Sequence, residues 1–226
     1  MHFLSIRHFS HILILLSSIF LTSCFDIIEE INLNRDGSGE ITLTVNLSKS
    51  KTKLASIMML DSINGHKVPG KNDIEHALDE AVYFLRDAEG ISNITKSQDF
   101  ENYIFSIQCH FKSVENIDGI IAELTKNLKV KPLMVSFDYN ASQKTFAKQY
   151  SHKPELTKEF KSLKQDDQKV FHDASYVSIS RFEQEVASTS NTNAKISKSK
   201  KAVMLRASAM DVINGNINLT NQIQLK

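Results

Sequence analysis

Residues 25–47 read FDIIEEINLNRDGSGEITLTVNL and predict a β-hairpin. Apolar residues alternate along both arms of this segment; they are Phe25, Ile27, Ile31 and Leu33 in the first, and Ile41, Leu43, Val45 and Leu47 in the second. RDGSG at 35–39 supplies the turn, because its glycines can take positive φ. A calcium-binding loop is the alternative for this segment. Residues 35–39 are not followed, however, by the further spaced oxygen ligands and the terminal glutamate that such a loop needs.

Two helical patterns follow the hairpin. Residues 51–63 carry an apolar side, and Asn64-Gly65 ends that pattern. Asn72 has the character of a helix N-cap with Glu75 three residues later, as in a capping box, and Gly90 ends this second helix. Its buried face is predicted to contain Ile74, Ala77, Leu78, Ala81, Val82 and Leu85.

The rest of the chain is richer in strand patterns than in helix patterns. Strands are predicted at 91–96, 102–112 and 133–139, with a partner strand around Phe146 and Tyr150 and a helix over 113–124. No helix is indicated after about residue 170. The sequence therefore predicts an α+β fold, mostly antiparallel, with roughly eight or nine strands, three or four helices and a strand-rich C-terminal part.

Composition divides the chain into four segments. Residues 1–23 form a leader, and residues 24–152 form an α+β domain that opens with the hairpin. Residues 153–169 are the most charged part and predict a solvated helix or a connection. Residues 170–226 are a β segment that either folds separately or belongs to the same domain.

The leader ends in a motif that resembles a bacterial lipobox, Leu21-Thr22-Ser23-Cys24. The predominantly apolar stretch of ten residues at 12–21 is too short to span a bilayer, and Arg7 gives the segment a basic start. The resemblance implies that a signal peptidase recognises Leu21, Thr22 and Ser23, and that Cys24 carries the lipid. An ordinary signal peptide is the alternative.

The resemblance also implies a location. It places the protein in the cell envelope, held at the membrane through the lipid on Cys24. The residues after Cys24 do not resemble a strong inner-membrane retention signal, so we expect the outer membrane, on its periplasmic or surface face.

The two ends of the chain together resemble a set of uncharacterised small bacterial lipoproteins, in which a lipobox is followed directly by a DGSG hairpin. The C-terminal part of the resemblance lies in residues 181–186, 188–193 and 200–205, where one strand ends at a polar loop and a second returns. More distantly, the same segments resemble LppM-like lipoproteins. That comparison implies that the protein binds a lipid or glycolipid.

Charge and cysteine content exclude some classes of function. Without residues 1–23 the chain has 203 residues, with 26 Lys and Arg against 26 Asp and Glu. It therefore lacks the basic surplus that is typical of nucleic-acid-binding proteins. Cys109 is the single cysteine besides Cys24, and its alternating neighbours predict a buried, inert thiol rather than a reactive one.

Catalytic patterns are sparse. The histidines after the leader are His66, His76, His110, His152 and His172, and none forms an HxH, HxxxH or HExxH pair. Cys109 and His110 are neighbours on a strand and point to opposite faces, so they cannot act together. We therefore expect no catalytic residues, metal or cofactor, and a non-enzymatic binding or envelope-assembly module.

Two versions of that module, and one competing class, remain open. In the first version the apolar faces of 51–63 and 74–85, with Met58 and Met59, line a groove against the sheet for a lipid or other amphiphile; alternatively they are simply core. In the second, exposed strands or the 188–193 loop pair with another envelope protein. The competing class is a hydrolase assembled from distant segments.

Overall fold

A computed structural model of the chain describes residues 25–63, 65–118, 120 and 134–226. Within them lie three sheets. The thirteen strands are β1 (Asp26–Leu33), β2 (Gly39–Asn46), β3 (Ser62–Ile63), β4 (His66–Lys67), β5 (Ile91–Asp99), β6 (Ile104–Phe111), β7 (Met134–Asn140), β8 (Thr145–Ser151), β9 (Ser175–Phe182), β10 (Val186–Thr189), β11 (Lys195–Ile196), β12 (Ala202–Ser208) and β13 (Asn221–Leu225).

The larger sheet has the order β11-β12-β9-β1-β2-β6-β5. All of its pairs are antiparallel except β1 with β9, which run parallel. A second sheet has the order β10-β13-β8-β7, and β3 and β4 form a separate small hairpin. The C-terminal strands β9 and β12 therefore extend the sheet that the N-terminal hairpin begins.

Helices cover parts of these sheets. The α-helices of the described residues are α1 (Lys51–Ile57), α2 (Lys71–Arg86), α3 (Pro154–Ser162), α4 (Gln165–Lys169) and α5 (Ala209–Asn214). Short 3-10 turns lie at Ser48–Ser50 and Val114–Ile117. The prediction of an α+β fold with mostly antiparallel sheet is confirmed. The described part, however, already holds thirteen strands rather than eight or nine, and five α-helices rather than three or four.

The core lies between the two larger sheets. We call the face of the seven-stranded sheet that carries Ile31, Ile41 and Phe111 its inner face. These side chains pack with Phe137 and Phe146 from the second sheet in one buried cluster. The core is thus a sandwich with close-packed apolar side chains from both layers.

The opening hairpin forms as the sequence predicts. β1 and β2 pair in register from Asp26 with Asn46 to Leu33 with Gly39. Gly37 takes a φ of +86° in the turn, which an L side chain rarely adopts. The Asp36 carboxylate accepts hydrogen bonds from the backbone N–H and the hydroxyl of Ser38, so it stabilises the turn locally.

The helix over 51–63 is shorter than predicted. α1 ends at Ile57, Met58 to Leu60 form a turn after it, and Ile63 belongs to the β3–β4 hairpin. The following helix, α2, begins at Lys71, and its N-cap is Gly70 rather than Asn72. The Gly70 N–H donates to the Asp73 carboxylate at 2.8 Å. The helix ends at Arg86, before Gly90.

Other helix predictions also need correction. A helix was predicted at 113–124. The structure describes a 3-10 turn at Val114–Ile117 in this segment, and residues 119 and 121–133 lie outside the described part. The charged segment 153–169 is helical, but it forms two helices, and Phe160 is buried against Phe171. α5 forms after residue 170, where no helix was indicated, with Ser208 as its N-cap.

Candidate functional site

Four polar side chains meet in the core between the sheets. Lys148 Nζ of β8 lies 2.5 Å from Glu29 Oε1 of β1 and 2.6 Å from the Tyr176 hydroxyl of β9. That hydroxyl donates to Glu29 Oε2 at 2.8 Å, and Ser178 Oγ lies 3.0 Å from Glu29 Oε1 and 3.1 Å from Lys148 Nζ. All four side chains are buried. We call this group the polar cluster.

Strand periodicity puts these residues in the core. Glu29 falls on the same face as Ile27 and Ile31, and Lys148 falls on the same face as Phe146 and Tyr150. The alternating apolar residues around Glu29 and Lys148 predict the two strands but do not point to these two charged residues. The signal that could have found them was a charged residue on the inward face of each of two strands.

Burial controls the electrostatics of the polar cluster. It lowers the pKa of Lys148 below its ordinary value, although the charge of Glu29 acts against that shift. It raises the pKa of Tyr176 well above its ordinary value, and Glu29 adds to the rise. Ser178 next to a lysine has the composition of a nucleophile and a base, and both side chains are buried.

The inner face changes character along β1 and β2. Ile31 and Ile41, which are paired, are 0% and 2% exposed. The pair Ile27 and Val45, toward the start of β1, is 43% and 41% exposed. The same face of the same two central strands is therefore sealed at one end and open at the other.

Aromatic side chains flank this opening. Phe105 of β6 pairs with Val45, is buried, and packs edge-to-face on Phe100 at 5.3 Å between ring centroids. Phe25 directly precedes β1 and packs on Phe171 at 5.9 Å between ring centroids. We call the surface formed by Ile27, Val45, Phe25 and Phe105 the apolar mouth.

The two helices after the hairpin are incompletely buried. α1 has no buried residue, and in α2 only Leu85 is buried. Met58 is partly buried, whereas Met59 is 85% exposed and so does not line a groove against the sheet. Of the predicted buried face of α2, Ile74, Leu78, Ala81 and Val82 are half-buried and Ala77 is exposed.

A cleft of about 560 Å³ lies on the opposite, outer face of the sheet, beside Arg206. Arg206 Nη2 donates to Asp26 Oδ1 at 2.7 Å and to Ser175 Oγ at 2.6 Å, and Lys49 Nζ lies 3.0 Å from Asp26 Oδ2. Burial by itself raises the pKa of Asp26. Hydrogen bonds from Ser175 and Lys49 and the charge of Arg206 outweigh that effect, so the pKa lies below its ordinary value.

The predicted inert thiol is confirmed as buried. Cys109 lies in the core, and burial raises its pKa to about 11. His110 lies on the other face of β6 and contacts Glu40 at 3.2 Å. His76 Nδ1 lies 3.5 Å from Glu80 Oε1 in an exposed pair four residues apart on α2.

The polar loop at 188–193 directs its hydrogen bonds into the chain. Asn221 Oδ1 accepts from the Thr189 hydroxyl at 2.6 Å and from the Asn191 N–H at 3.1 Å. The Asn191 amide in turn donates to the carbonyls of Asn218 and Thr220. These contacts hold the loop against β13, and recognition of an envelope protein by this loop stays a prediction.

Three predictions concern the lipobox, metal binding and membrane-spanning helices. The lipobox residues Leu21, Thr22, Ser23 and Cys24 are not among the described residues. Within 25–63, 65–118, 120 and 134–226, no three His, Cys, Asp or Glu side chains are placed to hold a metal ion. In the same ranges no helix is long and apolar enough to cross a membrane.

No protein-family model matches the chain, and no curated protein sequence matches it. Among solved structures, the NMR structure of the folded domain of LppM from Mycobacterium tuberculosis is similar, with a TM-score of 0.43 and 15% identity over 89% of each chain. Similarity at this level does not establish a ligand, an anchor or an activity.

Proposed function

We propose that the protein is a lipid-anchored, non-enzymatic component of the cell envelope that binds the hydrocarbon part of an amphiphile at the apolar mouth. The observation that carries this proposal is the exposure of Ile27 and Val45 on a face that is otherwise core. Covering such apolar surface is favourable by about 25 cal/mol per Å². The expected location is the outer membrane.

The position of the mouth supports this proposal. Ile27 lies three residues after Cys24, and an extended chain covers at most about 3.6 Å per residue. A lipid on Cys24 would hold the mouth within about 11 Å of the bilayer surface. Amphiphiles are abundant there, and the flanking rings of Phe25 and Phe105 suit an acyl chain.

The ligand is tested by native mass spectrometry of residues 25–226, secreted with an ordinary leader and purified gently from the envelope. We expect a discrete bound mass in the lipid range, and saturable binding of the fluorescent fatty acid cis-parinaric acid. Ile27→Asn should remove both. Ile196→Asn is the matched control, because Ile196 is also a partly exposed isoleucine but lies on β11, distant from the mouth in the sheet order.

An empty protein that does not bind the fatty acid would contradict the proposal and direct attention to crosslinking of a protein partner. The anchor is tested separately by fatty-acid labelling. Cys24→Ser should leave an unlabelled precursor, and normal labelling of that variant would exclude lipidation at Cys24.

A further inference from the structure

Residues 48–63 and 65–71 form an excursion from the larger sheet, which we call the basic arm. It contains the 3-10 turn, α1, the β3–β4 hairpin and the start of α2. It leaves the sheet after β2 and returns before β5, so both of its ends belong to the same part of the molecule.

Contacts place the basic arm at the end of the sheet where β1 begins. In that row Asp26 pairs with Asn46, Asn46 with Ile104, and Ile104 with Asp99. At the start of the arm, Lys49 contacts Asp26 at 3.0 Å. At its end, Lys71 Nζ lies 5.5 Å from the ring centre of Phe100, in the turn directly after Asp99.

The middle of the arm is tied to the same region. His66 Nε2 lies 3.2 Å from Asp167 Oδ2 of α4. Four residues after Asp167, Phe171 packs on Phe25, the residue that directly follows Cys24. The arm therefore lies beside the point where the chain leaves for the lipidated cysteine.

The arm exposes adjacent apolar side chains. Met59 is 85% exposed and Leu60 is 50% exposed, and Ile63 of β3 is also exposed. These residues follow α1 directly. Scattered exposed apolar residues are ordinary on a protein surface, but neighbouring ones mark a surface of contact.

The arm also carries a concentrated positive charge. Five lysines, at positions 49, 51, 53, 67 and 71, accompany one acidic residue, Asp61, in a mature chain whose Lys and Arg equal its Asp and Glu. Three of the five have acidic neighbours, namely Asp26, Glu101 and Asp73. Among the contacts of the described residues, Lys53 and Lys71 have no ion pair.

We propose that the basic arm is a membrane-docking surface that lies on the bilayer holding Cys24. Met59 and Leu60 enter the boundary between headgroups and acyl chains, and the lysines contact lipid phosphates. Exposed apolar side chains beside lysines are the composition of interfacial segments, and each lysine near an anionic surface is attracted to it. This inference rests on the proposed anchoring through Cys24.

Docking by the arm would orient the molecule. The apolar mouth lies at the same end of the sheet as the arm, since Ile27 and Val45 are one position from the Asp26–Asn46 pair. With the arm on the bilayer, the mouth faces the membrane. An amphiphile would then pass between the bilayer and the protein without crossing water.

The absence of tryptophan from the chain makes a direct test possible. The full-length lipoprotein carrying Met59→Trp is reconstituted into vesicles of phosphatidylethanolamine and phosphatidylglycerol, with and without bromine on the acyl chains. We expect a blue-shifted emission and about twofold quenching by the brominated lipid, as for a side chain at the acyl boundary. Met204→Trp, on the outer face of β12, is the matched control and should not be quenched.

Flotation of the vesicles separates the possible failures. Protein that floats with the vesicles while Met59→Trp is unquenched overturns docking by the arm and leaves the anchor intact. Protein that neither floats nor carries a labelled fatty acid overturns the anchor and the docking together. Leu60→Trp is the second reporter if Met59→Trp does not fold. In the Met59→Trp protein, the further changes Lys51→Gln and Lys53→Gln should lower the quenching in low salt.

Discussion

At the scale of single residues, the polar cluster joins the two sheets. Glu29 and Lys148 come from different layers, and both are buried. Every buried side-chain nitrogen or oxygen of the described residues has a hydrogen-bond partner. A buried ion pair of this kind contributes little net stability, but leaving one partner alone is costly. We infer that the cluster fixes how the sheets align.

Lys148→Met should therefore destabilise the protein strongly, by about 3–5 kcal/mol, because it leaves the Glu29 carboxylate buried without its cation. Glu29→Gln should be costly for the same reason, and the double variant should lose less than the sum of the two. The free energy of unfolding in urea measures each value.

Lys226→Met is the control for the loss of a lysine. Its partner Glu185 lies at 2.6 Å in an exposed ion pair, which is worth about 0–1 kcal/mol. An equal loss in Lys148→Met and Lys226→Met, or additive losses in the double variant, would contradict the role of the cluster.

At the scale of secondary-structure elements, the β1–β2 hairpin depends on close approach of backbone at its turn. A Cβ on Gly39 would lie 2.1 Å from the Asn32 carbonyl oxygen and 2.7 Å from the Phe111 ring. The backbone atom cannot move without breaking the pairing of the two strands. Glycine at this position is therefore required by the register of the sheet.

Gly39→Ala should lower the free energy of unfolding by about 2 kcal/mol or more, through strain at the hairpin. Gly70→Ala is the matched control, because a Cβ there meets nothing closer than an Asp73 oxygen at 3.6 Å. Its effect should stay within about 1 kcal/mol. Thermal or urea unfolding compares the stabilities of the two variants. Equal losses would contradict the prediction, because they would show that the backbone at Gly39 accommodates a Cβ without strain.

At the scale of the whole molecule, the two ends of the chain complete each other. β9 is the parallel neighbour of β1 along its whole length, from Asp26 with Ser175 to Leu33 with Phe182. β13 is the antiparallel neighbour of β8. Residues 170–226 thus supply strands to both the seven-stranded and the four-stranded sheet. This arrangement favours one cooperative domain over two.

A chain that ends at residue 169 should consequently fail to fold, because β1 and β8 each lose a neighbour and the core loses one side. Near-ultraviolet circular dichroism and proteolysis of the truncated protein measure this outcome. The control is a single cut between α3 and α4, near Leu163, after which the two pieces should remain associated. A truncated chain with native resistance to protease would show that residues 25–169 fold by themselves.

Local sequence was sufficient wherever neighbours along the chain decide the structure. Alternation of apolar residues predicted β1 and β2, the DGSG turn and the burial of Cys109. It also predicted a strand around Phe146 and Tyr150 as the partner of the strand at 133–139, and β7 does pair with β8. It was insufficient for the limits of α1 and α2, because the β3–β4 hairpin and the Asp73 cap depend on small differences between competing local structures.

The sequence by itself determined the α+β class, the opening hairpin and the lipobox resemblance at Cys24, since each is a local pattern. Only the tertiary structure decided that β9 lies beside β1, that Lys148 meets Glu29, and that Ile27 and Val45 remain exposed. The physical reason is that these features depend on which strands become neighbours. That choice is made by burial and pairing between segments more than a hundred residues apart, as with Glu29 and Lys148 at a separation of 119.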